Sequence, residues 1–309
     1  MKIAVIGAGA VGKSIGGLLQ AANHEVHYLV RSEFSALKSR GLFTLHFAES
    51  NISLKISPIY VYNKAEQLPK VDLVLITTKT TENQHLVPLV TPCLGAQTTL
   101  LIVQNGIGNE EALEEMFPHH PLICGITSIA ASRTDVENVE IACLGELRLA
   151  PIHQRAEAVC QNISETLNAA TLSPKIILSD SYKSIRWHKL IWNAAFNPLS
   201  VIFNKTSDIL AIQEPYLTIV RHIFEEVRQT AACESISISE EFTKHLLEHT
   251  AHLKSYWPSM YYDFQKGKQL EVEYILGNLI KIADKHHLTL PCLTLVRSHI
   301  EHQAISRIS

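Results

Sequence analysis

Short β-branched runs alternate with amphipathic stretches through the first half of the chain. Ile3–Ile6, Val26–Val30, Leu73–Ile76 and Leu100–Val103 read as strands, and helices are predicted from about Val11 and over Phe34–Ser39. This alternation predicts βαβ units building a parallel sheet. Phe43–Phe47 and Ile52–Ile56 alternate around polar Asn51 and read as an inserted hairpin. Asn109-Glu-Glu supplies a helix cap and an acidic first turn, which leaves Asn105-Gly-Ile-Gly108 as the loop after a strand. In open α/β sheets that edge holds ligands. From about Leu178 the period changes to that of long helices, predicted over Trp187–Val201, Tyr216–Cys233, Glu240–Leu253 and Leu270–His286. The pattern predicts an α/β domain over residues 1–177 and a helical domain over 178–309.

One of these helices breaks its own apolar pattern. Lys189, Asn193 and Asn197 fall at i, i+4 and i+8 and share a face, while Leu190, Ile191, Trp192, Ala194, Ala195 and Phe196 wrap the rest. A helix apolar on most sides is buried, so its polar stripe is expected to line a pocket. A plainer reading has Lys189 snorkelling to solvent while the two carboxamides satisfy nearby backbone.

Composition narrows the field of partners. The 309 residues exceed the usual size of one core, and 46% hydrophobic with 18% charged residues describes an ordinary globular protein. A formal net charge of −3 gives no general attraction for nucleic acid or an anionic membrane, which points to a small-molecule partner. Cys93, Cys124, Cys143, Cys160, Cys233 and Cys292 are dispersed without a CxxC, as suits a reducing compartment. Met1 runs directly into a strand signal, and no apolar segment reaches membrane-spanning length, so a cytoplasmic location is expected.

Gly7-Ala8-Gly9-Ala10-Val11-Gly12 follows the first strand and opens a helix, the context a dinucleotide fingerprint requires. Gly7 makes the turn, Gly9 admits a pyrophosphate and Gly12 allows helix–sheet contact. Because Lys13-Ser14 follow, the same letters also satisfy the phosphate-loop expression of nucleotide triphosphatases. Against that reading, the acid that would hold magnesium should end a later strand, whereas Asp72 begins one that ends in Thr77-Thr-Lys79. Where an NAD-binding chain offers Asp or Glu about 20 residues beyond the glycines, this sequence has Arg31-Ser32. A guanidinium there suits a 2′-phosphate, hence NADP(H). Lys79 is a second cation expected near the same rim.

Taken in order, Gly7–Gly12 with Arg31, Thr77-Thr-Lys79, Gln104-Asn-Gly106, Trp187–Pro198, Pro258-Ser-Met260, Glu271 and Leu290-Pro291 resemble the 2-dehydropantoate 2-reductase (ketopantoate reductase) family along nearly the whole chain. The resemblance implies a Rossmann-type, mainly parallel sheet domain followed by an all-helical 6-phosphogluconate-dehydrogenase-like C-terminal domain. It implies Lys189 as catalytic acid with Glu271 as its acidic companion, and a substrate held by Asn105, Asn193, Asn197, Ser259 and Glu271. The cofactor would lie on Gly7, Ala8, Gly9, Ala10, Val11, Gly12, Arg31 and Lys79, with Asn105 close by. The substrate implied is a small 2-keto acid held between the domains; the sequence does not disclose the oligomeric state, and a homodimer is the assembly considered. Two departures bear on specificity: Val136–Cys143 is Glu- and Val-rich where the family is Gly-rich, and Ser200 stands where Thr is common.

These residue types suit the implied chemistry. Hydride addition to a ketone leaves oxyanion character that an ammonium stabilises and protonates, and a nearby carboxylate favours the charged amine. Two other readings remain open: a reductase of another 2-keto or 3-hydroxy acid, and a non-catalytic NADPH-binding sensor. Glu271 and Glu273 also admit a reading as two solvated helix positions. No metal site is expected, because His245, His249 and His252, like His299 and His302, have helical spacing without an accompanying carboxylate pattern. Tyr60 and Lys64 mimic a YxxxK pair but precede the strand that would position them.

Overall fold

The computed structural model describes residues 1–306. The chain divides into two compact units, Met1–Gln104 with Asn109–Tyr182, and Asn105–Gly108 with Lys183–Ser309.

The first unit begins β1 (Lys2–Ile6), α1 (Ala10–Ala21), β2 (Glu25–Leu29) and α2 (Phe34–Arg40), which ends on Gly41 at a φ of 68°. Then come β3 (Phe43–Phe47), β4 (Ile52–Ile56), β5 (Tyr60–Tyr62), β6 (Val71–Ile76), α3 (Leu86–Val90), β7 (Leu94–Ile102) and α4 (Asn109–Met116). The unit closes with β8 (Leu122–Thr127), β9 (Ala130–Arg133), β10 (Asn138–Cys143), β11 (Glu146–Pro151), α5 (Glu157–Asn168) and β12 (Lys175–Leu178). Eight strands form the main sheet in the order β12-β11-β8-β7-β6-β1-β2-β5. Its pairs are parallel except β8 with β11.

Alternation along each central strand builds two cores. Ile3, Val5, Leu73, Leu75 and Leu101 point to one face of the sheet, and Ala4, Ile6, Val74, Ile76, Leu100 and Ile102 to the other. A sheet covered on both faces needs apolar residues at every position, which is why these strands read as continuous hydrophobic runs. The expected hairpin β3–β4 is present, but it belongs to a separate four-stranded sheet, β4-β3-β10-β9. The sequence pattern did not reveal β5 or β8 to β12. Their residues pair across long separations, and exposed positions interrupt β9 and β10.

The second unit contains α6 (Tyr182–Phe203), α7 (Ser207–Ile212), α8 (Tyr216–Cys233), α9 (Glu240–Ala251), α10 (Ser259–Gln265), α11 (Asn278–Lys285) and α12 (Pro291–Ser306). Trp187, Leu190, Ile191, Ala194, Ala195 and Phe196 of α6 are in the unit's core, with Ile223, Phe224, Ile275 and Leu293. One helix departs from expectation. The stretch predicted as helical from Leu270 to His286 leaves Leu270 and Glu271 outside, and it opens with a π-turn, Glu273–Gly277, before α11. The i, i+3, i+4 pattern does not reveal a π-turn. Among the described residues, no helix is long and apolar enough to cross a membrane.

Candidate active site

In the first unit, the candidate cofactor residues gather at one edge. β1 lies between β2 and β6, with Ile6 opposite Leu29 on one side and Ile76 on the other. These strands are parallel, so the glycine loop after β1, Arg31 after β2 and Lys79 after β6 all leave from the carboxyl edge.

The glycines have different physical roles. Gly7 has a φ of +98°, and a Cβ there would lie 2.5 Å from the Thr78 nitrogen. A Cβ on Gly12 would lie 2.5 Å from both the Gly7 carbonyl oxygen and Thr77 Oγ1, and that hydroxyl donates to the same carbonyl at 2.7 Å. Gly9 differs, because the nearest atom to its Cβ would be 3.9 Å away. The protein itself therefore does not exclude a side chain at Gly9. The space in front of it, at the N-terminus of α1, is where a phosphate would meet backbone N–H groups. Ala8, Ala10 and Val11 complete the loop with only small or apolar side chains.

Arg31 is exposed, with 68% of its side chain accessible, and it donates from Nη2 to Glu82 Oε2 at 2.9 Å. The sequence reading did not foresee Glu82, because the contact spans two different strand ends. Lys79 is half-buried and precedes the 3₁₀ turn Thr80–His85.

The phosphate-loop alternative fails on Lys13 and Ser14. Lys13 is 1% exposed, and its ammonium donates to Glu33 Oε2 at 2.7 Å and to the Val136 carbonyl at 2.8 Å. Burial, followed by the charge of Arg133, brings its pKa down to about 8. Arg133 also pairs with Glu33. The Ser14 hydroxyl donates to the Ala10 carbonyl at 2.8 Å. Asp72 lies near the amino end of β6, where its carboxylate accepts the Lys2 N–H at 2.7 Å. The lysine, hydroxyl and acid a triphosphatase needs are thus directed elsewhere.

In the second unit, α6 carries Lys189, Asn193 and Asn197 in successive turns. Asn193 and Asn197 are each 2% exposed, and Asn193 Nδ2 donates to Asn105 Oδ1 at 3.2 Å. Burying a carboxamide without partners is costly, and this bond supplies one across a long sequence separation. Pro198 sits inside the helix without ending it. It cannot donate to the carbonyl one turn back, and just beyond it the Ser200 hydroxyl donates to the Asn197 carbonyl at 2.8 Å.

Lys189 is only partly exposed, and its Nζ lies 5.3 Å from the centroid of the Trp192 ring. Burial pulls its pKa from 10.5 to about 8. The sequence reading expected a carboxylate to favour the charged amine. In the structure, desolvation is the dominant influence and acts in the opposite direction. An amine with a pKa near 8 is still mostly protonated at pH 7 and is a better proton donor than an ordinary lysine.

The remaining candidates occupy different settings. Glu271 is 6% exposed and stands just before the π-turn, with its carbonyl accepting the Ile275 N–H at 3.2 Å. Glu273 is half-exposed and pairs with Lys281 and, at 2.9 Å, with Arg297. The two acids are therefore not a matched solvated pair. Ser259 is exposed at the start of α10. His245, His249 and His252 are exposed on or just after α9, and among the described residues no three His, Cys, Asp or Glu side chains gather as a metal site would need.

Comparison with known proteins gives the same fold. Residues 3–154 match the family described as "Ketopantoate reductase PanE/ApbA", and residues 181–304 match its C-terminal counterpart. A 2-dehydropantoate 2-reductase from Nostoc sp. is 29% identical over 295 residues, covering 94% of this chain and 91% of that protein. The crystal structure of 2-dehydropantoate 2-reductase from Geobacter metallireducens superposes with a TM-score of 0.91 at 26% identity, over 98% of this chain and 99% of that one. D-mandelate dehydrogenase, solved with NADH and anilino(oxo)acetate, shares the fold at a TM-score of 0.88 and 22% identity, with both chains covered fully at 100%. With a glycine loop at the carboxyl edge of a mainly parallel sheet, a lysine–asparagine helix in the second unit, and family matches over both, the chain belongs to the ketopantoate reductase family.

Proposed function

We propose that this protein reduces 2-dehydropantoate to pantoate with NADPH, on the route to pantothenate and coenzyme A. Lys189 carries this reading. It is the amine brought to a pKa of about 8 on the same helix face as two buried carboxamides. The cofactor fits the loop in front of Gly9, where the chain leaves room that its own packing does not need. When bound there, the nicotinamide supplies the hydride. Arg31 and Lys79 provide the cations for its phosphates, with Arg31 directed to the 2′-phosphate.

The chain's own groups handle charge and proton. The Lys189 ammonium hydrogen-bonds the keto oxygen, offsets the negative charge that develops on it, and then donates a proton to it. Asn105, Asn193, Asn197 and Ser259 hold the keto acid. Glu271 accepts a hydrogen bond from the substrate hydroxyl and is the acidic companion of Lys189. Six free cysteines, three of them buried, suit an enzyme working in the reducing cytoplasm.

The deciding experiment incubates purified protein with NADPH and 2-dehydropantoate beside several other 2-keto acids, follows absorbance and identifies the product. Fastest turnover with 2-dehydropantoate, yielding pantoate, is expected. Preference for another acid would reassign the substrate, and binding of NADPH without oxidation by any acid would leave a sensor.

A further inference from the structure

Asn105 is held by an unusual piece of backbone. Gly106 and Gly108, on either side of Ile107, have φ values of +90° and +89°. A Cβ at Gly106 would lie 2.4 Å from the Tyr274 carbonyl oxygen, and one at Gly108 would lie 2.8 Å from Asn278 Nδ2. The loop therefore lies flush against the π-turn Glu273–Gly277 and the first residue of α11.

Both backbone polar groups of Ile107 are used in that contact. Its N–H donates to the Tyr274 carbonyl at 2.8 Å, and its carbonyl accepts from Asn278 Nδ2 at 2.8 Å. A π-turn loosens the regular i, i+4 ladder, and such turns recur at functional sites. Here the Asn278 N–H reaches back to the Glu273 carbonyl, and the turn begins two residues after Glu271. One local distortion, two residues past Glu271, thus grips the peptide two residues from Asn105.

We propose that Asn278 is a positioning residue for substrate. With the Tyr274 carbonyl it clamps the Ile107 peptide and so sets the Asn105 carboxamide at its bond with Asn193. This rests on the reading above that Asn105 contacts the keto acid. The Asn278 side chain hydrogen-bonds the loop backbone at the Ile107 carbonyl and acts through Asn105.

The test measures KM, kcat and cofactor Kd for Asn278→Asp, Asn105→Ala and the double variant. Aspartate keeps the shape of asparagine but, ionised, has no N–H to give to Ile107. The expected result is a rise in KM of about three- to tenfold, the range of one lost hydrogen bond, with kcat and cofactor Kd nearly unchanged. In the Asn105→Ala background, Asn278→Asp should add nothing further, because both act through one carboxamide. If the aspartate variant does not fold, Asn278→Ser, whose hydroxyl is too short to reach Ile107, replaces it. Wild-type KM in the folded Asn278 variant while Asn105→Ala is impaired would overturn the clamp alone. Equal losses from Asn278→Asp in both backgrounds would also overturn it, as a general structural effect. An Asn105→Ala variant with unchanged KM would overturn the substrate role of Asn105, and the clamp's purpose with it.

Discussion

The ammonium of Lys189 stands 5.3 Å from the centre of the Trp192 ring, three residues further along α6. The indole face favours the charged amine, but burial outweighs it and brings the pKa to about 8. In the proposed role the acid form is the one that works, so activity should be present below that value and lost as pH rises through it. A pH profile of kcat/KM at saturating NADPH should show an alkaline limb near 8. Lys189→Ala should lose about a hundred- to ten-thousand-fold in turnover while binding NADPH normally. Near-normal turnover, or a profile flat from neutral to strongly alkaline pH, would remove Lys189 from the chemistry.

Gly9 and Gly12 should respond differently to alanine. At Gly12 the added methyl meets two oxygens at 2.5 Å, so Gly12→Ala should cost about 1–3 kcal/mol of stability. At Gly9 the nearest atom is 3.9 Å away, so Gly9→Ala should fold normally and lose cofactor affinity. Thermal melts together with cofactor titrations separate the two. Unchanged affinity in Gly9→Ala would argue against a pyrophosphate lying over that residue.

Arg31→Ala should weaken NADPH binding by roughly tenfold, as a lost charge-assisted contact does, and leave NADH nearly unaffected. The Glu82 carboxylate, 2.9 Å from the guanidinium, would compete with a 2′-phosphate for it. Equal losses for the two cofactors, measured by fluorescence titration, would show that Arg31 does not read the phosphate.

Glu226 has a structural task within the second unit. Buried in α8, its two carboxylate oxygens accept the Cys292 and Leu293 N–H groups at 2.8 Å each, capping the first turn of α12. Glu226→Ala leaves those donors without their acceptor and should cost about 1–3 kcal/mol. Urea denaturation should show the loss, with KM and kcat unchanged. A midpoint equal to that of the parent would mean the cap contributes no net stability.

How far the sequence could be read depended on the range of each interaction. The βαβ alternation, the β3–β4 hairpin and the helices α6, α8 and α9 follow from local periodicity, and the structure has them close to the predicted limits except that α6 begins at Tyr182, ahead of the expected Trp187. Lys13 shows where local reading stopped. Its letters fit a phosphate loop, but the salt bridge with Glu33 and the bond to the Val136 carbonyl take its ammonium inward.

By itself the sequence determined the fold class, the place of the glycine loop and the shared face of Lys189, Asn193 and Asn197, because hydrophobic period and helical spacing act within a few residues. Tertiary structure alone decided which of those groups are desolvated and what they meet. Burial lowered the Lys189 pKa, Glu82 came to Arg31, and the π-turn brought Tyr274 and Asn278 to Ile107. Each of these depends on residues distant in the chain being packed together, and no local pattern encodes that.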